Sequence, residues 1–392
     1  MVGRPCSAKC NLALWLALLF FREPHHGTKG EGFAVAVKQH LEIMQRQLII
    51  DRKVINEGSD CFVIAEIGHN HMGKLEVARE MFRVAKECGA NAVKLQKRDN
   101  KTLYTKALYD QVYDNPNSYG ETYGLHREAL EFGYSEYNEL KQYARELGIS
   151  FFSTAFDFKS ADFLAELDLP AFKIASGDLK NIPLLRYIAK FRKPMVLSTG
   201  GGEFEDVKRA YYEVMSINPQ LAILQCTAAY PCEFSELNLK VITTFREQFP
   251  STVVGLSDHD NGIAMSVAAY VLGARVIEKH FTLNRAQKGT DHAFSLEPTG
   301  LRKMVRDLRR TKIALGDGIK RSYASEVKPL LKMSKRITAI RDLPAGHCLK
   351  MEDLAFRSPG DGLPPGEVDR VLDRCLVREV KEDDAILFNN LI

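Results

Sequence analysis

The sequence predicts a (β/α)8 barrel followed by a small C-terminal domain. Three observations carry that expectation. From Cys61 onward, short apolar runs rich in β-branched residues alternate with amphipathic helical stretches, as repeated βα units require. Eight such runs fall within roughly 260 residues, the usual extent of such a barrel. After Gly318 the rhythm stops, and short runs broken by Pro and Gly turns replace it. A doubly wound open sheet is the alternative, weakened by the lack of a Gly-x-Gly-x-x-Gly turn after the first run.

The expected strands are Phe62–Ile67, Ala92–Gln96, Ser150–Thr154, Ala171–Ala175, Met195–Ser198, Ala222–Cys226, Val253–Ser257 and Arg275–His280. Their near-continuous apolar character indicates burial on both faces, as in a parallel sheet. Helices fit between them. Leu75–Gly89 repeats Leu75, Ala78, Phe82 and Ala85, with Gly89 suited to its C-cap. Tyr137, Leu140, Tyr143 and Leu147 mark another, closed by Gly148. Asp162–Leu167, Ile182–Phe191, Glu205–Ile217, Leu239–Phe249 and Asn261–Leu272 serve the later crossovers. Thr299 is the expected cap of a last helix that carries Leu301, Met304, Val305 and Leu308 and ends near Gly316. The barrel then spans 46–318. Residues 319–335 read as a basic, irregular linker. Residues 336–392 read as a loop-rich domain with small strands, too small for a thick core of its own.

Composition narrows the function classes. A chain of 392 residues with 45% apolar and 27% charged residues is an ordinary soluble globular protein. The net charge is +4 with no long basic block, so no nucleic-acid partner is expected. Cys6, Cys10, Cys61, Cys88, Cys226, Cys232, Cys348 and Cys375 are scattered without a Cys-x-x-Cys pair, which reads as reduced thiols in a cytoplasmic enzyme. Residues 1–45 do not match the rest and are expected to lie outside the fold. Their apolar run Asn11–Phe21 is short for a membrane span. It suits a signal-peptide core, but no small-x-small cleavage site follows. An upstream extension, a targeting segment and a surface helix stay open, and no membrane association is expected.

Active sites of β/α barrels lie at the carboxyl ends of the strands. Read in order, those ends offer Glu66, Lys94, Thr154, Lys173 with Ser176, Ser198, Tyr230 beyond the sixth, Ser257 with His259, and Glu278 with His280, followed by Asp291. Lys94 and Lys173 with small Gly/Ser turns suit a phosphate or phosphate-carboxylate ligand, because cations and free N–H groups offset its charge. Glu66, Glu278, His259 and His280 suit either a divalent cation completed by water and substrate oxygens or acid/base catalysis. Blander readings stand beside these. A barrel lysine can simply neutralise a buried carboxylate, Ser before Gly is common turn chemistry, Tyr230 can be packing, and Cys226 reads as core. His69, His71, His126 and His292 are open.

Seven motifs in order carry a resemblance. They are Ala65-Glu66-Ile67-Gly68-His69-Asn70-His71, Lys94-Leu95-Gln96, Phe172-Lys173-Ile174-Ala175-Ser176-Gly177-Asp178, Leu197-Ser198-Thr199-Gly200, Gln225-Cys226-Thr227-Ala228-Ala229-Tyr230-Pro231, Gly255-Leu256-Ser257-Asp258-His259 and Glu278-Lys279-His280-Phe281. From about Ile49 to its end the chain resembles the sialic acid synthase family, and its tail resembles that family's antifreeze-like (SAF) domain, a β-clip fold. The resemblance implies condensation of phosphoenolpyruvate with N-acetylmannosamine or its 6-phosphate, giving a nine-carbon 2-keto acid sugar and phosphate. It implies a divalent metal (Mn, Mg or Co) on His259 and His280. It implies phosphoenolpyruvate contacts at Lys94, Thr154, Lys173, Ser176, Ser198 and Ser257, and sugar contacts at Glu66, Tyr230 and Asp291. Glu66, then Glu278, are the expected catalytic carboxylates. A domain-swapped homodimer is implied, with an arginine of the tail reaching the partner's sugar; here Arg357 stands one residue early relative to Arg-Pro-Gly-x-Gly. Ala228 replaces an Asn found in some bacterial members. The same chemistry on a legionaminate or pseudaminate precursor, and a non-catalytic sugar-phosphate-binding barrel, are the rival expectations.

Overall fold

Period-two alternation opens the part of the chain that the computed structural model describes, residues 46–392. The run Asn11–Phe21, with Cys6 and Cys10, lies outside the described residues. Strands β1 (Gln47–Ile50) and β2 (Lys53–Asn56) pair antiparallel. Asp51 and Arg52 join them with φ of 48° and 64°, the left-handed pair of a tight hairpin turn. The hairpin was not foreseen as separate strands. Its Leu48, Ile50 and Ile55 pack into one buried cluster with Ile64, Phe152 and Val196 from the barrel strands, so it floors the barrel at the strands' amino ends.

All eight expected barrel strands are present, with ends within one residue of the sequence reading. They are β3 (Phe62–Gly68), β4 (Ala92–Lys97), β5 (Ser150–Ala155), β6 (Phe172–Ile174), β7 (Met195–Ser198), β8 (Leu221–Cys226), β9 (Val253–Asp258) and β10 (Val276–His280). They run parallel and close in sequence order, β10 pairing with β3. Apart from the last two residues of β4, Gln96 and Lys97, each is buried along its length, because aliphatic neighbours fill the interior and helices cover the outside. Helix Leu75–Glu87 buries Ala78, Phe82 and Ala85. Helix Tyr134–Leu147 stops at Gly148, whose φ of 66° is the left-handed C-terminal conformation glycine supplies. The last helix begins at Pro298 and runs to Leu315. Thr299 therefore lies inside it and is not its cap, since proline's fixed φ suits the first helical position. The β4–β5 connection carries three short helices, Asn100–Leu103, Lys106–Tyr109 and Tyr123–Glu128.

A second compact unit covers Gly316–Ile392. The stretch expected as an irregular linker contains helix Val327–Met333, and the Gly360 N–H donates to the Leu331 carbonyl at 2.8 Å, which ties that helix to this unit. Strands β11 (Arg336–Ala339) and β12 (Leu354–Arg357) pair antiparallel over a core that includes Ile337, Leu343, Leu376 and Ile386. Cys348 and Cys375 form a disulfide here, which corrects the expectation of reduced thiols for this pair. They stand opposite one another at an antiparallel bridge, a proximity that sequence separation hides. Cys61, Cys88, Cys226 and Cys232 are free. Among the described residues no helix is long and apolar enough to cross a membrane.

Candidate active site

The inward residues of each barrel strand change character along its length. β3 passes from Phe62 and Ile64 to Glu66, β4 from Ala92 to Lys94 and Gln96, and β10 from Val276 to Glu278 and His280. Successive inward positions are two residues apart, so one step carries the barrel from aliphatic to ionisable. The carboxyl-end residues enclose a cavity of about 280 Å³. Glu66, Thr154, Lys173, Ser176, Ser198, Tyr230, Ser257, His259, Glu278, His280 and Asp291 all line it. Lys94 lies just beneath, with its Nζ donating to Thr154 Oγ1 at 2.6 Å and standing 2.7 Å from Glu66 Oε2.

The two lysines and two carboxylates are interleaved. Lys173 donates to Ser198 Oγ at 2.7 Å and to the Ile174 carbonyl at 2.9 Å, and it lies 3.6 Å from Glu278. Ser257 donates to Glu278 Oε1 at 3.1 Å, and Gln96 donates to Glu66 Oε1 at 2.7 Å. Burial pushes the Glu66 carboxyl up, with Lys94 opposing it. Burial also pushes Glu278 up, but Lys173, Lys94 and His280 outweigh it and hold that carboxyl low. Lys173 is held below the usual amine range, chiefly by burial, with Glu278 opposing. The second oxygen of Glu278, Oε2, is buried without a hydrogen-bond partner, whereas Glu66 Oε2 is paired with Lys94. Orphaned buried oxygens are costly, and they are the expected signature of a site that a ligand completes.

The imidazoles of His259 and His280 lie side by side, edge to face, with ring centroids 5.4 Å apart. His259 Nδ1 lies 2.8 Å from the Thr227 carbonyl oxygen, so it carries the proton and leaves the Nε2 lone pair free. His280 Nδ1 is buried without a hydrogen-bond partner, with Asp291 Oδ2 at 3.7 Å. Burial lowers the His280 pKa, which favours the neutral, ligating form. Two free nitrogens on adjacent strands fit a divalent cation whose remaining positions are open. Among the described residues no group of three or more His, Cys, Asp or Glu forms a closed cage, so water and substrate oxygens would complete the coordination.

A buried brace holds that pair. Lys279, between Glu278 and His280, lies 3.0 Å from Asp258 and pairs with Asp260, the two residues flanking His259. Its ammonium also donates to the Asp260 carbonyl at 2.7 Å, and Ser266 donates to Asp258 at 2.7 Å. The ladder pairs Lys279 with Asp258, so one ion cluster stitches the ends of β9 and β10 together.

Some expected residues fall elsewhere. Arg357 lies on β12 in the second unit, paired there with Asp383. His71 stacks on Phe132 at 4.1 Å and accepts the Gly73 N–H, and His292 faces Thr282 at 2.7 Å; both are structural contacts. His126 accepts the Tyr119 N–H. Cys226, read as core, is buried but lines the cavity and faces His259 Nδ1 at 3.9 Å. Ala228 lines it too. Two charged cavity residues, Arg98 and Arg127, were not among the expected site residues. Arg98 was within reach of the signal, since Lys94, Gln96 and Arg98 continue one inward alternation. Arg127 sits on a short loop helix with no such register.

Comparisons with known proteins place the chain in a family. The NeuB family profile matches residues 81–320. The chain is 40% identical over 328 residues to N-acetylneuraminate-9-phosphate synthase of Homo sapiens, covering 83% of this chain and 91% of that protein. It is 35% identical over 337 residues to N,N'-diacetyllegionaminic acid synthase of Legionella pneumophila, covering 84% and 94%. Among solved structures, an N-acetylneuraminic acid (sialic acid) synthetase from Leptospira borgpetersenii in complex with citrate matches with a TM-score of 0.64 and 30% identity, covering 73% of this chain and 95% of that one.

Proposed function

Because the chain belongs to the NeuB family, we propose that it joins phosphoenolpyruvate to an N-acetylhexosamine, N-acetylmannosamine or its 6-phosphate, and releases phosphate and a nine-carbon 2-keto acid. One observation carries this reading. Buried Lys173, Glu66, Glu278 and two imidazoles share a single cavity at the carboxyl-end face of the barrel, with Lys94 just beneath it against Glu66 and Glu278 Oε2 left without a partner.

Lys94 and Lys173, with Thr154, Ser176, Ser198 and Ser257, would hold the phosphate and carboxylate of phosphoenolpyruvate. That ligand fixes its methylene carbon toward the open-chain sugar, and much of the acceleration is orientation. A divalent cation (Mn, Mg or Co) on His259 and His280 would supply Lewis-acid polarisation of the sugar carbonyl. The methylene carbon forms the new C–C bond to the carbonyl carbon, leaving positive character at C2 of the enolpyruvyl unit. Glu66 would stabilise that charge and take a proton from the water that adds there, with Glu278 as the second carboxylate. The C–O bond to phosphate then breaks, and the keto group remains. Tyr230 and Asp291 would position the sugar.

The remaining parts of the reading follow from the resemblance. The small unit acts as an SAF-type domain, the working form is a domain-swapped homodimer, and Arg357 serves the partner's sugar. The cytoplasm is the expected compartment, where phosphoenolpyruvate is made. The test is release of inorganic phosphate by the purified full chain given phosphoenolpyruvate plus N-acetylmannosamine, its 6-phosphate, or a diacetylated hexosamine, with and without chelator. Release that needs both substrates and is restored after chelation by Mn, Mg or Co is the expected result. No sugar-dependent release with any acceptor would remove the enzymatic reading and leave a binding barrel.

A further inference from the structure

Asp291 reaches the cavity from a stretch, Asn284 to His292, that is neither helix nor strand. Its two ends are fixed locally. The Asn284 N–H donates to Thr282 Oγ1 at 3.2 Å, and Ser295 Oγ donates to the Asp291 carbonyl. The middle is fixed from elsewhere. Among the described residues Lys288 and Gly289 make two hydrogen bonds, and both cross to one turn of the β4–β5 connection. The Tyr119 hydroxyl donates to the Lys288 carbonyl, and the Gly289 N–H donates to Asn117 Oδ1 at 3.1 Å. The Lys288 ammonium also lies 5.0 Å from the centre of the Tyr119 ring.

Both sides of this junction are themselves held. In the turn, the Asn117 N–H donates to Asn115 Oδ1 at 2.8 Å, and the Ser118 N–H donates to the Asn115 carbonyl at 2.8 Å. Such side-chain bonds to nearby backbone are how asparagine fixes a turn. The Tyr119 N–H donates to His126 Nδ1 at 3.0 Å, and His126 is buried beside Tyr113. On the loop side, Gly289 has a φ of 144° and packs so near His292 that a Cβ would stand 2.7 Å from its Cδ2. His292 is buried and set by Thr282 at 2.7 Å. Gly289 therefore sits between a fixed ring and a fixed turn. Asp291 follows two residues later, with Oδ1 accepting from Thr290 at 2.9 Å and Oδ2 at 3.7 Å from His280.

Resting on the proposed reaction, we infer that the Asn115–Gly120 turn is a clasp on the Asp291 loop, with Asn117 and Tyr119 as positioning residues for the acceptor sugar. Neither lines the cavity, so they act through the loop. An unclasped loop spreads Asp291 over many positions, and a displacement of about 1 Å is enough to spoil a directed contact. The proposed phosphoenolpyruvate contacts sit on or just after the barrel strands, which the clasp does not touch. The effect therefore falls on the acceptor.

The experiment compares wild type with three variants. Asn117→Leu removes the acceptor of the Gly289 N–H, Asn117→Asp keeps an oxygen there, and Tyr119→Phe removes the hydroxyl and keeps the ring. Initial rates use whichever of N-acetylmannosamine and its 6-phosphate the wild type turns over better. Asn117→Leu is expected to raise the acceptor KM about tenfold, the scale of one hydrogen bond, and to leave the phosphoenolpyruvate KM within about a factor of two. Asn117→Asp recovers most of that loss, and Tyr119→Phe raises the acceptor KM by about threefold. Calorimetry then adds Asn117→Leu to Asp291→Ala, where it should cost no further acceptor affinity. An unchanged acceptor KM, an equal rise in the phosphoenolpyruvate KM, or an undiminished loss in the Asp291→Ala background each overturns the assignment. Hydrogen exchange gives a readout independent of turnover, since the Gly289 amide should exchange about tenfold faster in Asn117→Leu. If no acceptor turns over in the wild type, the synthase reading falls; faster Gly289 exchange then upholds the clasp, and an unchanged rate overturns it too.

Discussion

The floor and the mouth of the barrel are made by the same strands and obey opposite rules. At the floor, Ile64, Phe152 and Val196 pack against Leu48 and Ile55 of the hairpin, with no ionisable side chain among them. Two or three residues along each strand, the mouth buries Glu66, Lys94, Lys173 and Glu278 as deeply, with Glu278 Oε2 left without a hydrogen-bond partner. The floor gains stability from every contact. The mouth holds desolvated charge that costs stability unless a ligand offsets it. The alternation of a strand lets both exist side by side, because a two-residue step keeps the same inward direction while changing the layer.

That contrast predicts which property each substitution moves. Phe152→Ala at the floor removes a fully buried ring and is expected to cost about 4 kcal/mol of stability. Its kcat, measured below the new melting temperature, should stay within a factor of a few. Denaturant unfolding and initial rates check both. A large loss of kcat with stability intact would break the division between floor and mouth.

Lys279→Met tests the place where the two properties meet. The methionine leaves Asp258 and Asp260 facing each other without a cation, so stability is expected to fall by about 3 kcal/mol. Lys279 touches neither proposed substrate, yet it ties the strand ends that carry His259 and His280. The expected signature is a weaker metal requirement curve, with half-activation at about tenfold higher Mn or Mg. Normal metal dependence with lowered stability would make the brace purely structural.

His280→Ala belongs to the mouth alone. It removes a residue whose Nδ1 has no partner to lose, so thermal stability should move by less than about 1 kcal/mol. Turnover is expected to fall by about a hundredfold, roughly 2.7 kcal/mol in activation free energy, with the chelator response abolished. Retained chelator-sensitive activity would remove His280 from the ligand set.

The same division explains what could be read from residues alone. The eight strands were legible as near-continuous apolar runs in a βα rhythm, and the two-residue register of their polar ends marked the mouth. Lys94 and His280 could be placed by that register. Arg98 continues it by one step beyond the strand and was passed over, because the apolar run had ended. Arg127 depends on the path of the three short helices between β4 and β5, and the Cys348–Cys375 pair depends on a bridge between distant segments. Neither leaves a periodic trace. The hairpin's alternation was present at Leu48, Ile50 and Ile55, but two four-residue strands are too short to stand out beside a barrel.

The small unit supplies the counter-case, a buried carboxylate whose oxygens all have partners. Asp353 is 1% exposed. Arg341 donates to its Oδ1 at 2.6 Å, and Oδ2 lies 2.8 Å from His347 Nε2 and accepts the Lys350 N–H at 3.0 Å. Burial alone would push this carboxyl up, but those bonds outweigh it and take it down to about 2. A folded-state pKa below the unfolded value near 3.9 stabilises the unit at higher pH, and that contribution is lost as pH falls from about 4 through about 2. The amount is on the order of 2 kcal/mol, or roughly thirtyfold in the opening equilibrium. Hydrogen exchange of residues 336–392, corrected for the intrinsic rate, should show that loss of protection in the wild type. Asp353→Asn should lose comparable protection already at pH 7 and change little below pH 4. A flat profile in the wild type would mean that satisfied and orphaned carboxylates in this chain are not told apart by their partners, and the contrast drawn between mouth and scaffold would lose its basis.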